Sequence, residues 1–251
     1  MDFDGKVVLV TGGGSGLGRA AVLLLADAGA RVAVADLDEA MGADTVAKVR
    51  EAGGEAEFVL TDVTREADVA ALVSRVVDTW GRLDGAINNA GITGPYKYTP
   101  EYTLDEWNQV FAVNLTGIFL GLKYEIPQMV GQGGGAIVNT SSGAGLIGYP
   151  GLPAYVASKH AVIGLTRTAG LEFATAGIRV NAVCPGSTLT PMLQASMGDD
   201  PAALAAQEAT TPMKRLARPE EIAHAMVWLL SDEASFVNAH PFAVDGGAVA
   251  M

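Results

Sequence analysis

Residues 6–36 constrain the fold more tightly than any other stretch of the 251-residue chain. Lys6-Val7-Val8-Leu9-Val10 is short, β-branched and apolar, which suits a strand covered on both faces in a parallel sheet. A glycine turn follows, Thr11-Gly12-Gly13-Gly14-Ser15-Gly16-Leu17-Gly18, and runs into an alanine- and leucine-rich helix that stops at Gly29. Arg31-Val32-Ala33-Val34-Ala35 then returns to a strand that ends at Asp36. Glycines allow a backbone to approach a pyrophosphate at a helix N-terminus, and an acid about 20 residues downstream can take ribose hydroxyls. Strand, turn, helix, strand and acid thus arrive in the order a dinucleotide site requires. A carboxylate at 36 accepts both ribose hydroxyls of NAD but repels the 2′-phosphate of NADP, and the neighbours Leu37 and Ser15 supply no base. NAD is the expected cofactor.

The same alternation continues. Glu39 to Gly53 is read as a helix, Glu57-Phe58-Val59-Leu60 as a third strand, and Glu66 to Trp80 as a helix with Val69, Leu72, Val73, Val76 and Val77 at helical spacing. Asp84-Gly85-Ala86-Ile87 and Ala136-Ile137-Val138-Asn139 are the fourth and fifth strands. Between them Leu104 to Met129 is predicted as one long helix, entered at Thr103, interrupted by Asn114, and ended or bent at Pro127. A helix from Ala154 to Phe173, a strand from Ile178 to Val183, a helix from Pro219 to about Leu230 and the strand Pro241-Phe242-Ala243-Val244 complete the order. Ser187 to Arg218 is the least regular stretch; its Met192, Leu193, Met197 and Met213 among Pro and Gly suit a flap over an apolar ligand at about 187–218. The predicted fold class is α/β: a single doubly wound (Rossmann) domain over 1–251, with a seven-stranded parallel sheet flanked by helices.

Composition removes several function classes. Apolar residues are spread without a break, and their longest runs fall far short of a membrane span. The acidic start, Met1-Asp2-Phe3-Asp4, has none of the features of a signal peptide, so a cytoplasmic setting is expected. A net charge of -12 argues against a nucleic-acid partner. His160, His224 and His240 lack neighbours at metal-ligand spacing, so no catalytic metal is expected. Cys184, the only cysteine, is read as a small buried side chain.

The chemistry centres on Tyr155 and Lys159, which leave one helix face a turn apart. A cation beside a phenol favours the phenolate, bringing it towards a pH where it can trade protons with an alcohol or ketone. Ser142 closes the fifth strand thirteen residues before Tyr155 and can meet it only through the fold. Asn88-Asn89-Ala90-Gly91 suits either a cofactor-lining loop or an ordinary turn, and Asp62 either an adenine contact or a helix cap.

Together Thr11-Gly12-x-x-x-Gly16-x-Gly18, Asn88-Asn89-Ala90-Gly91, Asn114, Ser142, Tyr155-x-x-x-Lys159, Pro185-Gly186 and Asp245-Gly246-Gly247 resemble the short-chain dehydrogenase/reductase family across essentially the whole chain. The resemblance implies that Tyr155 is the general acid/base, that Lys159 lowers its pKa and holds the nicotinamide ribose, that Ser142 binds the substrate oxygen, and that Asn114 holds a relay water. It implies a cofactor site of Gly12, Ser15, Gly16, Leu17 and Gly18 at the phosphates, Asp36 and Leu37 at the adenosine ribose, and Asp62 and Val63 at the adenine. Asn89, Ala90 and Gly91 would form the floor, with Pro185, Gly186, Thr188 and Thr190 at the nicotinamide and phosphate side. It also implies a homotetramer built on the helices at 104–129 and 155–173 and the last strand. One departure is Val237-Asn238-Ala239-His240, where the family more often shows a Thr-Gly pair.

The implied activity is reversible hydride transfer between NAD and a secondary alcohol or its ketone, with oxidation favoured at alkaline pH. Ala144, Leu146, Ile147, Tyr149, Leu152, Met192 and Leu193 are the candidate substrate walls, beside Ser142 and Tyr155. They include no Arg or Lys to bind a carboxylate or phosphate, which favours an apolar or cyclic alcohol. The alternatives are an NAD-dependent sugar or polyol dehydrogenase, a nucleotide-sensing protein without catalysis, and a methyltransferase on a similar βαβ start; neither of the last two needs Ser142, Tyr155 and Lys159 together.

Overall fold

The computed structural model of the chain describes residues 1–198 and 200–250; the side chains of Ser196 and Met197 also lie outside the description, Met197 with its place in the predicted flap. Seven parallel strands form one sheet in the order β3-β2-β1-β4-β5-β6-β7. They are β1 Val7–Thr11, β2 Arg31–Asp36, β3 Glu55–Leu60, β4 Gly85–Asn88, β5 Gly135–Thr140, β6 Ile178–Pro185 and β7 Pro241–Val244. The order reverses between β1 and β4, so crossovers leave to opposite sides and open a crevice beyond the strands' carboxyl ends.

Helices cover both faces, as the unbroken apolar strands require. Side chains alternate across β1: Val8 and Val10 pack with α1 (Gly16–Asp27), α2 (Glu39–Glu51) and α9 (Pro219–Leu230), whereas Val7 and Leu9 pack with α3 (Glu66–Trp80), α5 (Gly117–Gly131) and α6 (Pro153–Glu172). Among the described residues no helix is long and apolar enough to cross a membrane.

Several elements differ from the sequence-based expectation. The helix predicted over 104–129 is built in three parts: α4 (Leu104–Phe111), a π-helical stretch at Ala112–Thr116, and α5. Asn114 lies in the π stretch, fully buried; its amide donates to the Ile92 carbonyl at 2.8 Å and accepts from the Ile92 N–H at 2.8 Å. The widened turn lets a polar side chain reach another loop's backbone without leaving the helix. Pro127 does not end the helix, which continues to Gly131. Residues 187–218 are more regular than expected, because Pro191 and Pro201 each start a helix: α7 (Pro191–Met197), capped by Thr190, and α8 (Pro201–Thr210), capped by Asp200. Thr103 caps α4 as predicted, with Glu106 reaching back to it. At the departure before β7, Ala239 adopts a left-handed φ of 57° where a glycine would be unstrained, and the Asn238 side chain ties the corner to the Gly170 carbonyl at 2.8 Å.

A polar chain runs between the apolar layers. Asn88 donates to Glu125 at 3.0 Å and to Asn139 at 3.1 Å, and Asn139 donates to Thr166 at 3.0 Å, joining α5, β4, β5 and α6. Glu125 is fully buried, and its second oxygen has no partner among the described residues. Burial, opposed by the Asn88 bond, raises this carboxyl from 4.5 to about 7. The folded chain therefore holds an extra proton between those values, and stability falls across that window as pH rises. Glu125→Gln should match the wild type near pH 4.5 and exceed it by on the order of 2–3 kcal/mol at pH 8, as measured by urea unfolding at the two pH values.

Candidate active site

The carboxyl ends of the strands open onto a cleft of about 500 Å³ that runs from Asp36 and Asp62 at one end to Tyr155 and Met192 at the other. Its first half is built by β1 and the glycine turn. Gly12 and Gly16 line it with left-handed φ angles of 63° and 51°. Gly18, expected at the phosphates, is not among the residues that line the cleft. A Cβ there would strike the Gly12 carbonyl oxygen and lie 2.7 Å from the Asn89 amide. Its part is to let α1 press against the turn, so that the helix N-terminus points at the cleft. Ser15 and Leu17 line the same wall.

At the end of β2 the Asp36 carboxylate accepts the Gly14 N–H at 2.8 Å and the Asp38 N–H at 3.0 Å. Leu37, 69% exposed, extends the wall beside it. Arg19, the nearest base, is committed to Asp44 at 2.9 Å and to the Gly14 carbonyl and the Thr45 hydroxyl, both at 2.9 Å. Asp62 and Val63 lie on the opposite lip. The cap reading of Asp62 does not hold, since α3 begins after Arg65 with no side-chain cap; Asp62 instead accepts the Thr64 N–H at 2.9 Å and turns the loop.

Asn89 knits three strand ends together. Its N–H donates to Thr11 Oγ1 at 2.9 Å, its amide donates to the Thr11 and Gly12 carbonyls at 3.1 and 3.3 Å, and it accepts from Thr140 at 3.4 Å. Ala90 and Gly91 continue this floor, and Asn114 lies one layer behind it, where a Cβ on Gly91 would come within 3.3 Å of its oxygen. Pro185, Gly186, Thr188 and Thr190 form the far wall.

The inner end brings Ser142, Tyr155 and Lys159 together. Ser142 stands just past the end of β5 in extended backbone, accepts the Ala144 N–H at 3.1 Å, and lies beside the Tyr155 phenol, whose pKa it acts to lower. Lys159 is buried and donates to the Thr140 carbonyl at 2.8 Å, with its ammonium 5.6 Å from the Tyr155 ring centroid. Burial lowers Lys159 from 10.5 to about 8 and pushes the Tyr155 phenol up, with the Ser142 hydroxyl opposing the latter. Burial therefore sets the direction, opposite to the lowering expected from Lys159, and favours the neutral phenol. Cys184 is buried beneath this end and pushed up to about 11 by desolvation, an inert thiol.

Ala144, Tyr149, Leu152, Met192 and Leu193 line the substrate end; Leu146 and Ile147 do not, because the short turn at Gly143–Gly145 carries them off the cleft. The lining also includes Ile92, Thr93, Val113 and Ser187, which carry no motif in sequence; the one available signal was that Ile92 and Thr93 directly follow Gly91. No group of three potential ligands for a metal ion occurs among the described residues.

A cleft that joins a glycine turn to a Ser, Tyr and Lys cluster matches known proteins over its whole length. Residues 12–249 match the family model described as Enoyl-(Acyl carrier protein) reductase. The whole chain is 46% identical to 2,5-dichloro-2,5-cyclohexadiene-1,4-diol dehydrogenase of Sphingobium indicum, covering 99% of it. It is 42% identical to cyclohexanol dehydrogenase of an Acinetobacter species, over 97% of this chain and 95% of that one. The crystal structure of levodione reductase superposes with a TM-score of 0.95 at 41% identity, covering 99% of each chain.

The Gly12–Gly18 contact yields the first test of the site. Gly18→Ala should weaken dinucleotide binding at least tenfold, on the order of 1.4 kcal/mol or more, because the helix must retreat from the turn. Titration of the variant and the wild type with NADH, followed by fluorescence, measures the change.

Proposed function

The chain belongs to the short-chain dehydrogenase/reductase family, and from that premise we propose that it is an NAD-dependent dehydrogenase of cyclic secondary alcohols, working reversibly on the corresponding ketones. The observation that carries this reading is the convergence of Ser142, Tyr155 and Lys159 at the inner end of the cleft, with apolar walls beyond them. Relatives named for a cyclohexadiene diol and for cyclohexanol support a six-membered ring as substrate.

The residues fit a nicotinamide dinucleotide. Gly12, Ser15 and Gly16 would hold its phosphates, Asp36 its adenosine ribose, Asp62 and Val63 its adenine, and Lys159 its second ribose. When bound, the cofactor supplies the hydride chemistry. Tyr155 takes the carbinol proton in oxidation and returns it in reduction, while the Ser142 hydroxyl donates to the substrate oxygen as negative charge develops there. Asn114 holds the Ile92 loop against the floor and backs the proton path from Lys159. A phenol raised by burial is protonated at neutral pH, the form that reduction requires. Oxidation requires the phenolate, so its rate climbs with pH.

NAD rather than NADP follows from Asp36, with Arg19 engaged elsewhere. Residues 187–218 would close over the substrate through α7. Leu104, Phe119 and Leu171, large apolar side chains exposed on α4, α5 and α6, support assembly into a homotetramer.

Wild-type protein given NAD and a panel of cyclic secondary alcohols at alkaline pH should form NADH. Tyr155→Phe should lower kcat about 10² to 10⁴-fold while leaving NAD binding within a fewfold; near-normal turnover by this variant would overturn the assignment. Asp36→Ala should narrow the ratio of kcat/KM for NAD over NADP, and an unchanged ratio would remove the cofactor reading.

A further inference from the structure

The substrate end of the cleft holds a second phenol that the hydride-transfer reading does not use. Tyr149 lines the same cleft as Tyr155. Its hydroxyl makes no hydrogen bond among the described residues, and the residue is 39% exposed, so the phenol stands at the opening and is not packed into the core. The surrounding walls, Ala144, Leu152, Met192 and Leu193, have no polar side chain.

The backbone that carries Tyr149 is held in place. Its carbonyl accepts the Leu152 N–H at 3.3 Å, and the Gly151 carbonyl accepts the Lys97 N–H at 2.9 Å. Gly151 has a left-handed φ of 85°, and a Cβ there would collide with the Tyr96 ring. The loop after β5 is thus clasped to the loop after β4, and Tyr149 is presented from a fixed base.

Resting on the reading of Tyr155 as the proton carrier, we infer that Tyr149 is a specificity-determining residue whose hydroxyl binds a second oxygen on the substrate ring, remote from the reacting carbinol. The substrate class is then a cyclic alcohol carrying another hydroxyl or carbonyl. A ring with only hydrocarbon at that point strips water from the Tyr149 hydroxyl and returns no hydrogen bond, whereas a second oxygen replaces the water. The carboxylate class is disfavoured, because the one cation at this end, Lys159, is buried and bonded to the Thr140 carbonyl, and no other Arg or Lys lines the cleft. The Thr93 hydroxyl also lines the cleft with no hydrogen bond among the described residues, on a side chain too short to span an apolar ring.

The test compares kcat/KM for cyclohexane-1,4-diol and for cyclohexanol in the wild type, Tyr149→Phe and Thr93→Val. The ratio of diol to cyclohexanol should fall about tenfold in Tyr149→Phe, mainly through KM, and hold within twofold in Thr93→Val. A ratio unchanged in Tyr149→Phe, or a fall confined to Thr93→Val, overturns the assignment. Calorimetric binding of the diol to Tyr155→Phe, with and without Tyr149→Phe, should show the same contrast without turnover. Failure of the dehydrogenase reading looks different: wild type would then form no NADH from either alcohol, and the Tyr149 assignment would fall with it.

Discussion

The hydrogen bond from the Lys159 ammonium to the Thr140 carbonyl, 2.8 Å long and closed to solvent, is the point on which the site hangs. It fastens α6 to the end of β5, where Thr140, Ser141 and Ser142 leave the sheet. Ser141 reinforces the joint by donating to the Lys159 carbonyl at 2.8 Å. With the helix so fixed, Tyr155, one turn earlier, must face Ser142. Burying a cation is costly, and the lowering of Lys159 to about 8 is the measure of that cost. Fold stability is given up at this point to keep a charge beside a phenol.

The remaining polar groups inside the molecule sort by the same logic. Asn89 joins β1, β4 and β5 at their carboxyl ends, Asn114 joins the π-helical stretch to the loop after β4, and Asn88, Glu125, Asn139 and Thr166 join the layers below. Each amide supplies both a donor and an acceptor, so one side chain can tie two backbones at once. Glu125 departs from this pattern, since one of its oxygens has no partner among the described residues and its carboxyl is held near neutrality. Rigidity at the strand ends thus comes from side-chain amides, while the apolar layers supply the bulk of the burial.

Much of this was legible in the residues. The β1 to β2 unit, the sheet, the cap at Thr103 and the start of α9 at Pro219 rest on local chemistry: β-branched runs, glycines, prolines and capping side chains. The misreadings came from local rules overridden by packing. Pro127 sits inside a helix that continues to Gly131, and Pro191 and Pro201 begin helices in a stretch read as irregular. Gly18 was assigned to the phosphates by position in its motif, yet its need for a bare Cα comes from the Gly12 carbonyl across the turn.

By itself the sequence determined which groups exist to do chemistry, and roughly where along each element they stand: Tyr155 and Lys159 share a helix face because an α-helix repeats every 3.6 residues. It also determined the acid at the end of β2, because glycine turn and strand lengths are set within one βαβ unit. Only the tertiary structure decided that Ser142, thirteen residues away, meets Tyr155, that Thr93 and Tyr149 line one cleft, and that burial raises the phenol its neighbouring cation would lower. Contacts between distant segments and the loss of solvent around a charge are properties of the packed chain, and no local pattern of residues encodes their balance.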